Sequence, residues 1–137
     1  MTIEDAQQEL KKAYLRMEEG QVERAIELCE SASTLAPESP LPPTLAASFY
    51  LAIGDHTTAL KRLRAVLRRW PTFALAHAYV AEVHLLNGRR KPGWDALEKA
   101  EANDDGALNE HLALLRSTFE PLTKNDIPAP LVVDRER

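Results

Sequence analysis

Apolar residues recur at helical spacing along most of the chain, and glycine interrupts the pattern at regular intervals. Three such stretches, over residues 3–19, 41–53 and 74–87, are each followed by a glycine, which predicts three helices that end in tight turns. The second stretch is apolar on nearly every side, because no charged residue occurs between Ser39 and Gly54. A helix of that kind packs on several sides, so we expect it in the interior of the fold.

The turns repeat with a period of 34 residues, since Gly20, Gly54 and Gly88 are evenly spaced. The same period relates four further sets of positions, most of them small residues or proline: Ala13, Ala47 and Ala81; Ala25, Ala59 and Gly93; Ala32, Val66 and Ala100; and Pro37 and Pro71, with Asp105 in the third repeat. Small side chains at fixed positions let two helices approach closely, and proline ends a helix. The pattern therefore predicts a pair of antiparallel helices in each repeat.

This arrangement resembles the tetratricopeptide-repeat family, with repeats over residues 6–39, 40–73 and 74–107. The best-matching stretches are Gly20-Gln-Val-Glu-Arg-Ala-Ile and Gly54-Asp-His-Thr-Thr-Ala-Leu. The family's tryptophan early in the first helix is replaced by Glu9, Pro43 and His77. The resemblance implies an all-α, right-handed α-solenoid of three helix pairs, in a single domain over residues 1–122.

A seventh helix is expected after the third repeat, at about residues 107–120. Its apolar residues alternate in steps of four and three: Leu108, Leu112, Leu115, Phe119 and Leu122. We expect it to cover the open end of the third repeat, because a terminal repeat needs a polar outer face. Prolines and a charged end then predict an extended, mobile tail over residues 123–137. Side-chain caps are predicted for the first, fourth and fifth helices: Thr2 with Asp5, Asp55, and Thr72.

The composition fits a soluble protein without a catalytic centre. The chain of 137 residues is 45% hydrophobic and 28% charged, as expected for one globular domain. It has no apolar run near the ~18 residues that span a bilayer and no secretory signal pattern, so we expect a cytoplasmic protein without membrane insertion. Cys29 is the single cysteine, and two of the four histidines, His77 and His111, share a repeat position without carboxylate or thiolate ligands nearby. With no catalytic motif present, we expect no enzyme activity, cofactor or metal.

Charge is segregated along the chain. Residues 39–93 hold eight basic and two acidic residues, whereas the blocks on either side are acidic and the net charge is −4. In the family's register the basic residues form a patch on the convex surface: Lys61, Arg62, Arg64, Arg68, Arg69, Arg89, Arg90 and Lys91. This patch favours an acidic protein surface over nucleic acid as its partner, because Trp70 and Trp94 are expected to pack in the core. A solvated face without a partner is the alternative, and the acidic helix over residues 23–30 of a second copy is a candidate partner for a homo-oligomer.

The resemblance also implies a concave groove lined by the first helix of each repeat. Its positions in this chain are Leu10, Tyr14 and Met17; Leu41, Thr44, Ser48 and Leu51; Leu75, Ala78, Glu82 and Leu85; and Leu112, Arg116 and Phe119 from the seventh helix. Relatives that hold the C-terminal carboxylate of a cytosolic chaperone use a clamp of lysine, asparagine and arginine, and that clamp is absent here: its positions read Leu10, Tyr14, Leu45, Leu75 and Tyr79. An apolar groove suits an amphipathic helix or an extended peptide with hydrophobic anchors. The alternative is that these side chains pack only against one another or the tail.

These observations predict a non-enzymatic adaptor or small chaperone that binds a hydrophobic peptide or amphipathic helix in an apolar groove. Bacterial secretion chaperones are similar in length and in their three repeats, which is an analogy at the level of the fold. The alternative is a structural assembly subunit that oligomerises through its groove and its charge-segregated faces. We expect Leu51 and Leu85 to project out of the helix pairs as anchors for the partner.

Overall fold

Seven α-helices account for most of residues 3–120, which are the residues described by the computed structural model. They are α1 (Ile3–Glu18), α2 (Val22–Leu35), α3 (Leu41–Ala52), α4 (His56–Arg69), α5 (Ala74–Leu86), α6 (Arg90–Asn103) and α7 (Asn109–Phe119). The predicted all-α class, with three helix pairs and a seventh helix, is confirmed. Among these helices, none combines the length and the apolar character that crossing a membrane requires. The predictions made for Thr2, Leu122 and the tail over residues 123–137 lie outside the described residues.

The three repeat glycines end the first helix of each pair, as their spacing predicts. Gly20, Gly54 and Gly88 have φ angles of +80°, +86° and +74°, a conformation that other residues adopt only with strain. At the first turn, the N–H of Gln21 donates to the carbonyl of Arg16 at 2.8 Å and the N–H of Gly20 to that of Met17 at 3.0 Å. This is the Schellman pattern, which satisfies the last carbonyls of a helix, and equivalent bonds form at the other two turns.

One of the two predicted caps within the described residues is present. The carboxylate of Asp55 accepts a hydrogen bond from the N–H of Thr58 at 3.1 Å and caps α4. The prediction that Thr72 caps α5 is wrong, because α5 begins one residue later, after Phe73, and that end has no side-chain cap. Phe73 has an extended backbone and itself occupies the N-cap position, so Thr72 lies one residue before the cap.

The first four helices, up to Pro71, form one compact unit. Within it, α1 packs against α2, α2 against α3, and α3 against α4. The repeated alanines are the points of closest approach, since Ala13, Ala25, Ala32, Ala47 and Ala59 have no exposed surface. Larger side chains complete the core: Leu10, Ile26, Leu28, Leu45 and Phe49.

The helices from Thr72 onward form a second compact unit. Here α5 packs against α6, and α7 packs against both. Gly93 is buried at the repeat position that alanine holds in the other two pairs, and a Cβ atom there would lie 2.7 Å from both Cγ and Cδ2 of Leu85. Alanine at this helix crossing would therefore force the side chain of Leu85 to shift, because Leu85 fills the space that the methyl group would need. The predicted single domain over residues 1–122 stays a prediction.

Candidate peptide-binding surfaces

Tyr14 is the most open of the predicted groove residues on α1. Its side chain is 50% exposed, and its ring meets the ring of Phe49 on α3 edge-on, with centroids 5.8 Å apart. Leu10, by contrast, is 7% exposed and belongs to the core, and Met17 is partly buried against the same core. The structure therefore leaves a half-exposed aromatic residue on α1 that also contacts the core.

The predicted groove residues of α3 differ in accessibility. Leu41 is 37% exposed and Ser48 is half-buried, whereas Leu51 is buried. Thr44 is wholly buried, and its hydroxyl donates to the carbonyl of Pro40 at 2.7 Å. The assignment of Thr44 to the groove is therefore wrong, because its side chain is buried and its hydroxyl is bonded to the backbone at the N-terminus of α3.

In the second unit, three of the seven predicted groove residues are core residues. Ala78, Leu85 and Leu112 are buried, whereas Leu75, Glu82 and Phe119 are half-buried. The expectation that Leu85 projects outward as an anchor is wrong, because its side chain packs over Gly93 of α6 and is 1% exposed. Gly93, where the other two repeats have alanine, is the sequence feature that indicates this packing. A residue smaller than alanine at that position indicates a bulky neighbour.

The basic residues of α4 are only partly free of partners. Lys61, Arg64 and Arg68 are exposed. Arg62 lies over the ring of Tyr50, 4.9 Å from its centroid, and pairs with Glu30 at 3.6 Å. Arg69 lies over the ring of Trp70 at 4.4 Å and pairs with Glu38 at 3.0 Å. Two of the five predicted patch residues on this helix are thus already held by acidic residues of the same unit.

The remaining predicted patch residues lie at the start of α6 in the second unit. The Nε–H of Arg89 donates to Nδ1 of His84 at 2.9 Å, and Lys91 pairs with Asp95 at 3.0 Å. Arg90 is half-buried. These contacts are local to the second unit and give Arg89 and Lys91 structural roles at the start of α6.

Arg116 on α7 has a structural partner rather than an open groove position. Its guanidinium makes two hydrogen bonds to the carboxylate of Glu101, at 2.8 and 3.0 Å, and lies 5.0 Å from the ring centroid of Trp94. The hydrogen bond to Glu101 raises the pKa of Arg116. This bidentate pair joins α7 to α6 and supports the role of α7 as a cover for the third helix pair.

A cleft in the first unit is the feature that the sequence did not predict. It has a volume of about 370 Å³ and lies between α4 and the segment that joins α2 to α3. We call it the α4 cleft, and its lining residues are Ser33, Pro37, Ser39, Pro43, Arg62, Ala65, Val66, Arg69 and Trp70. On α4 the lining residues recur every three or four positions, so they form one stripe of the helix.

Two further titratable side chains within residues 3–120, Cys29 and His111, pack against their neighbours. Cys29 is 1% exposed, and burial raises the pKa of its thiol to about 12, so it stays protonated at neutral pH. His111 meets the ring of Tyr79 edge-on at 5.9 Å. No group of three or more histidine, cysteine or acidic side chains is arranged to hold a metal ion in this part of the chain.

Solved structures with a similar fold include tetratricopeptide-repeat domains. The second such domain of Spaghetti (RPAP3), bound to the HSP90 peptide SRMEEVD, is 21% identical, with a TM-score of 0.62 over 72% of this chain and 92% of that one. The first domain of Spaghetti, bound to the same peptide, is 13% identical, with a TM-score of 0.66 over 88% of this chain and 97% of that one.

The Sgt2 domain from Aspergillus fumigatus is 21% identical, with a TM-score of 0.65 over 85% of this chain and 80% of that one. No protein-family model matches the sequence, and no curated protein matches it. The likeness therefore lies in the backbone, and it agrees with the glycine turns, the helix pairs and the close-packed small residues described above. The chain has the tetratricopeptide-repeat fold.

Proposed function

We propose that the chain is a non-enzymatic protein-interaction adaptor that binds a peptide or helical segment through an apolar anchor at Tyr14. The observation that carries the proposal is the half-exposed ring of this residue, held edge-on by Phe49. An aromatic side chain that folding has already immobilised loses little conformational entropy on binding, and such residues dominate the binding energy of interfaces.

The fold supports a role in protein interaction. Two of the similar structures, the domains of Spaghetti, are bound to a peptide of HSP90. That likeness concerns the backbone, and the side chains of this chain favour a different kind of peptide. Leu10 and Leu45 occupy positions where relatives place parts of the carboxylate clamp, and both are buried leucines. We therefore infer a partner held by apolar contacts rather than by its C-terminal carboxylate.

The surroundings of Tyr14 suit an apolar anchor. Met17, one turn further along α1, is partly buried beside the same core. Ser48 has the same repeat position on α3, and its hydroxyl donates to the carbonyl of Leu45 at 2.7 Å. That hydrogen bond satisfies the hydroxyl within the helix, so Ser48 contributes a small side chain beside the aromatic position. A short apolar side chain of the partner would lie against the exposed part of Tyr14.

The test begins with selection of binding peptides from a random library displayed on phage, with the full chain as bait. Affinity of a selected peptide is then measured by isothermal titration calorimetry. We expect Tyr14→Ala to weaken binding at least tenfold, the usual effect of removing a central aromatic anchor. Leu15→Ala is the matched control, because Leu15 is also 50% exposed on α1 but points about 100° away around the helix.

Circular dichroism of both variants verifies that the helices persist. Equal binding by Tyr14→Ala and the parent chain would refute the proposal, as would an equal loss in Leu15→Ala. Light scattering tests the assembly alternative. A stable oligomer, independent of concentration in the parent chain and broken by Tyr14→Ala, would make this face a contact between copies and would overturn the adaptor role.

A further inference from the structure

The α4 cleft is a second candidate surface, and it involves none of the residues invoked for the adaptor role. One wall is the stripe of α4 that carries Arg62, Ala65, Val66 and Arg69. The other wall comes from the α2–α3 segment and the first turn of α3, with Pro37, Ser39 and Pro43 among its residues. A volume of about 370 Å³ lies at the lower end of the range for ligand pockets, which is about 300–1,000 Å³.

The two arginines of the cleft are held in place before any ligand arrives. Arg62 is fixed between the ring of Tyr50 and the carboxylate of Glu30, and Arg69 lies over the ring of Trp70 and against Glu38. A guanidinium has five N–H donors in a rigid plane, so a single ion pair leaves most of its donors for a ligand. The arrangement orients two cationic groups beside an apolar floor.

The charge balance around the cleft favours an acidic ligand. Helix α4 carries five basic residues and no acidic residue between His56 and Arg69. The carboxylates that pair with the two arginines are largely in water, since the side chains of Glu30 and Glu38 are 57% and 87% exposed. Exposed ion pairs of this kind contribute little to stability, so they do not prevent the spare N–H donors of each guanidinium from binding a ligand carboxylate.

We propose that the α4 cleft binds an acidic peptide segment in which two carboxylate side chains, three residues apart, flank an apolar side chain. Arg62 and Arg69 are seven residues apart, which is about 10 Å along a helix that rises 1.5 Å per residue. Three residues of extended chain cover about the same distance. The intervening apolar side chain lies on Ala65 and Val66. The hydroxyl of Ser39 accepts a hydrogen bond from the N–H of Leu41 at 3.3 Å, so its own proton can be donated to the ligand.

Nucleic acid fits this cleft less well than an acidic peptide. Single-stranded nucleic acid is held by bases that stack on open aromatic rings. The ring of Trp70, which lines the cleft, is covered on one face by the guanidinium of Arg69, so that face is not open to a stacking base. In an acidic peptide, the carboxylates would pair with Arg62 and Arg69 and the apolar side chain would contact Ala65 and Val66.

The experiment is an NMR titration of the isotopically labelled full chain with the acetylated, amidated peptide Gly-Glu-Ala-Leu-Glu-Gly. We expect chemical-shift changes in α4 and in the α2–α3 segment. We also expect at least fivefold weaker binding for the peptide with glutamine in place of both glutamates, and for the variant Arg69→Gln. The matched control is Arg68→Gln, an exposed arginine of the same helix outside the cleft, which should change affinity less than twofold.

Several outcomes would overturn the proposal. An equal loss of peptide affinity in Arg68→Gln and Arg69→Gln would show only general attraction between opposite charges. The absence of chemical-shift changes at millimolar peptide would show that the cleft does not bind it. The same shifts produced by raising the protein concentration alone would assign the cleft to a second copy, and tighter binding of a DNA duplex there would assign it to nucleic acid. Tyr14→Ala should leave peptide binding at the cleft unchanged, so either proposal can fail without the other.

Discussion

The contact between Leu85 and Gly93 leads to a prediction about stability. Replacing Gly93 by alanine should lower or raise the free energy of unfolding, depending on which residue occupies position 85. In the parent chain, Gly93→Ala introduces a methyl group 2.7 Å from two atoms of a leucine side chain that is 1% exposed. Overpacking of this kind costs about 1–3 kcal/mol. The higher helix propensity of alanine returns about 1 kcal/mol. We expect a net loss of stability of about 1 kcal/mol.

The same substitution should be stabilising once Leu85 is truncated. Leu85→Ala leaves a cavity and costs about 2–5 kcal/mol. In that background the methyl of Gly93→Ala enters the cavity without a clash, so the propensity gain of about 1 kcal/mol remains. The two residues should therefore be coupled by about 2 kcal/mol, within the range of about 0.5–3 kcal/mol seen for residues in contact.

Urea unfolding followed by tryptophan fluorescence measures these differences. Trp94 is 4% exposed in the core of the second unit, and the background substitution Trp70→Phe removes the other tryptophan. Leu86→Ala is the control, because Leu86 is 50% exposed and should lose less than about 0.5 kcal/mol. If Gly93→Ala changes the free energy of unfolding equally in both backgrounds, within about 0.5 kcal/mol, the helix crossing is looser than we infer.

Three further predictions concern the cap, the thiol and the clamp. Asp55→Ala should lower stability by about 1 kcal/mol, whereas Thr72→Ala should stay within about 0.5 kcal/mol, as measured by thermal unfolding. Burial raises the pKa of Cys29 from its ordinary value of 9.0 to about 12. The thiol therefore ionises first in the unfolded chain, so the stability advantage of the parent over Cys29→Ala should shrink as pH rises from about 9 towards 12; a constant difference in melting temperature would contradict this. At the Tyr14 surface, the HSP90 peptide SRMEEVD should bind at least tenfold more weakly than an apolar peptide selected on this chain, as measured by calorimetric competition against that selected peptide.

The parts of the fold that depend on local chemistry could be predicted from the sequence. The turns at Gly20, Gly54 and Gly88 follow from the conformational freedom of one residue type, and their even spacing gave the helix pairs. The cap at Asp55 is likewise decided within four residues. These features do not require knowledge of which helix lies opposite.

The candidate sites depend on which helices face each other, and the order of residues along the chain does not show that directly. Leu85 and Leu86 are adjacent, yet one is 1% and the other 50% exposed, because a step of one residue rotates a helix position by about 100°. The distribution of charge along the sequence also does not show which charged residues pair. Arg62 and Arg69 form ion pairs with acidic residues about 30 positions earlier in the chain. The α4 cleft forms only when a proline-containing segment lies beside a stripe of α4, which no single stretch of sequence encodes.

The burial of Cys29 has a practical consequence for studying this protein by site-specific dye labelling. The chain contains a single cysteine, and its thiol is buried and protonated at neutral pH. Maleimide dyes react with accessible thiolates, so they should spare it in the folded protein. A cysteine introduced by Ala65→Cys, on the exposed floor of the α4 cleft, would then carry the only fluorophore, and the natural cysteine would not need to be removed from the core first.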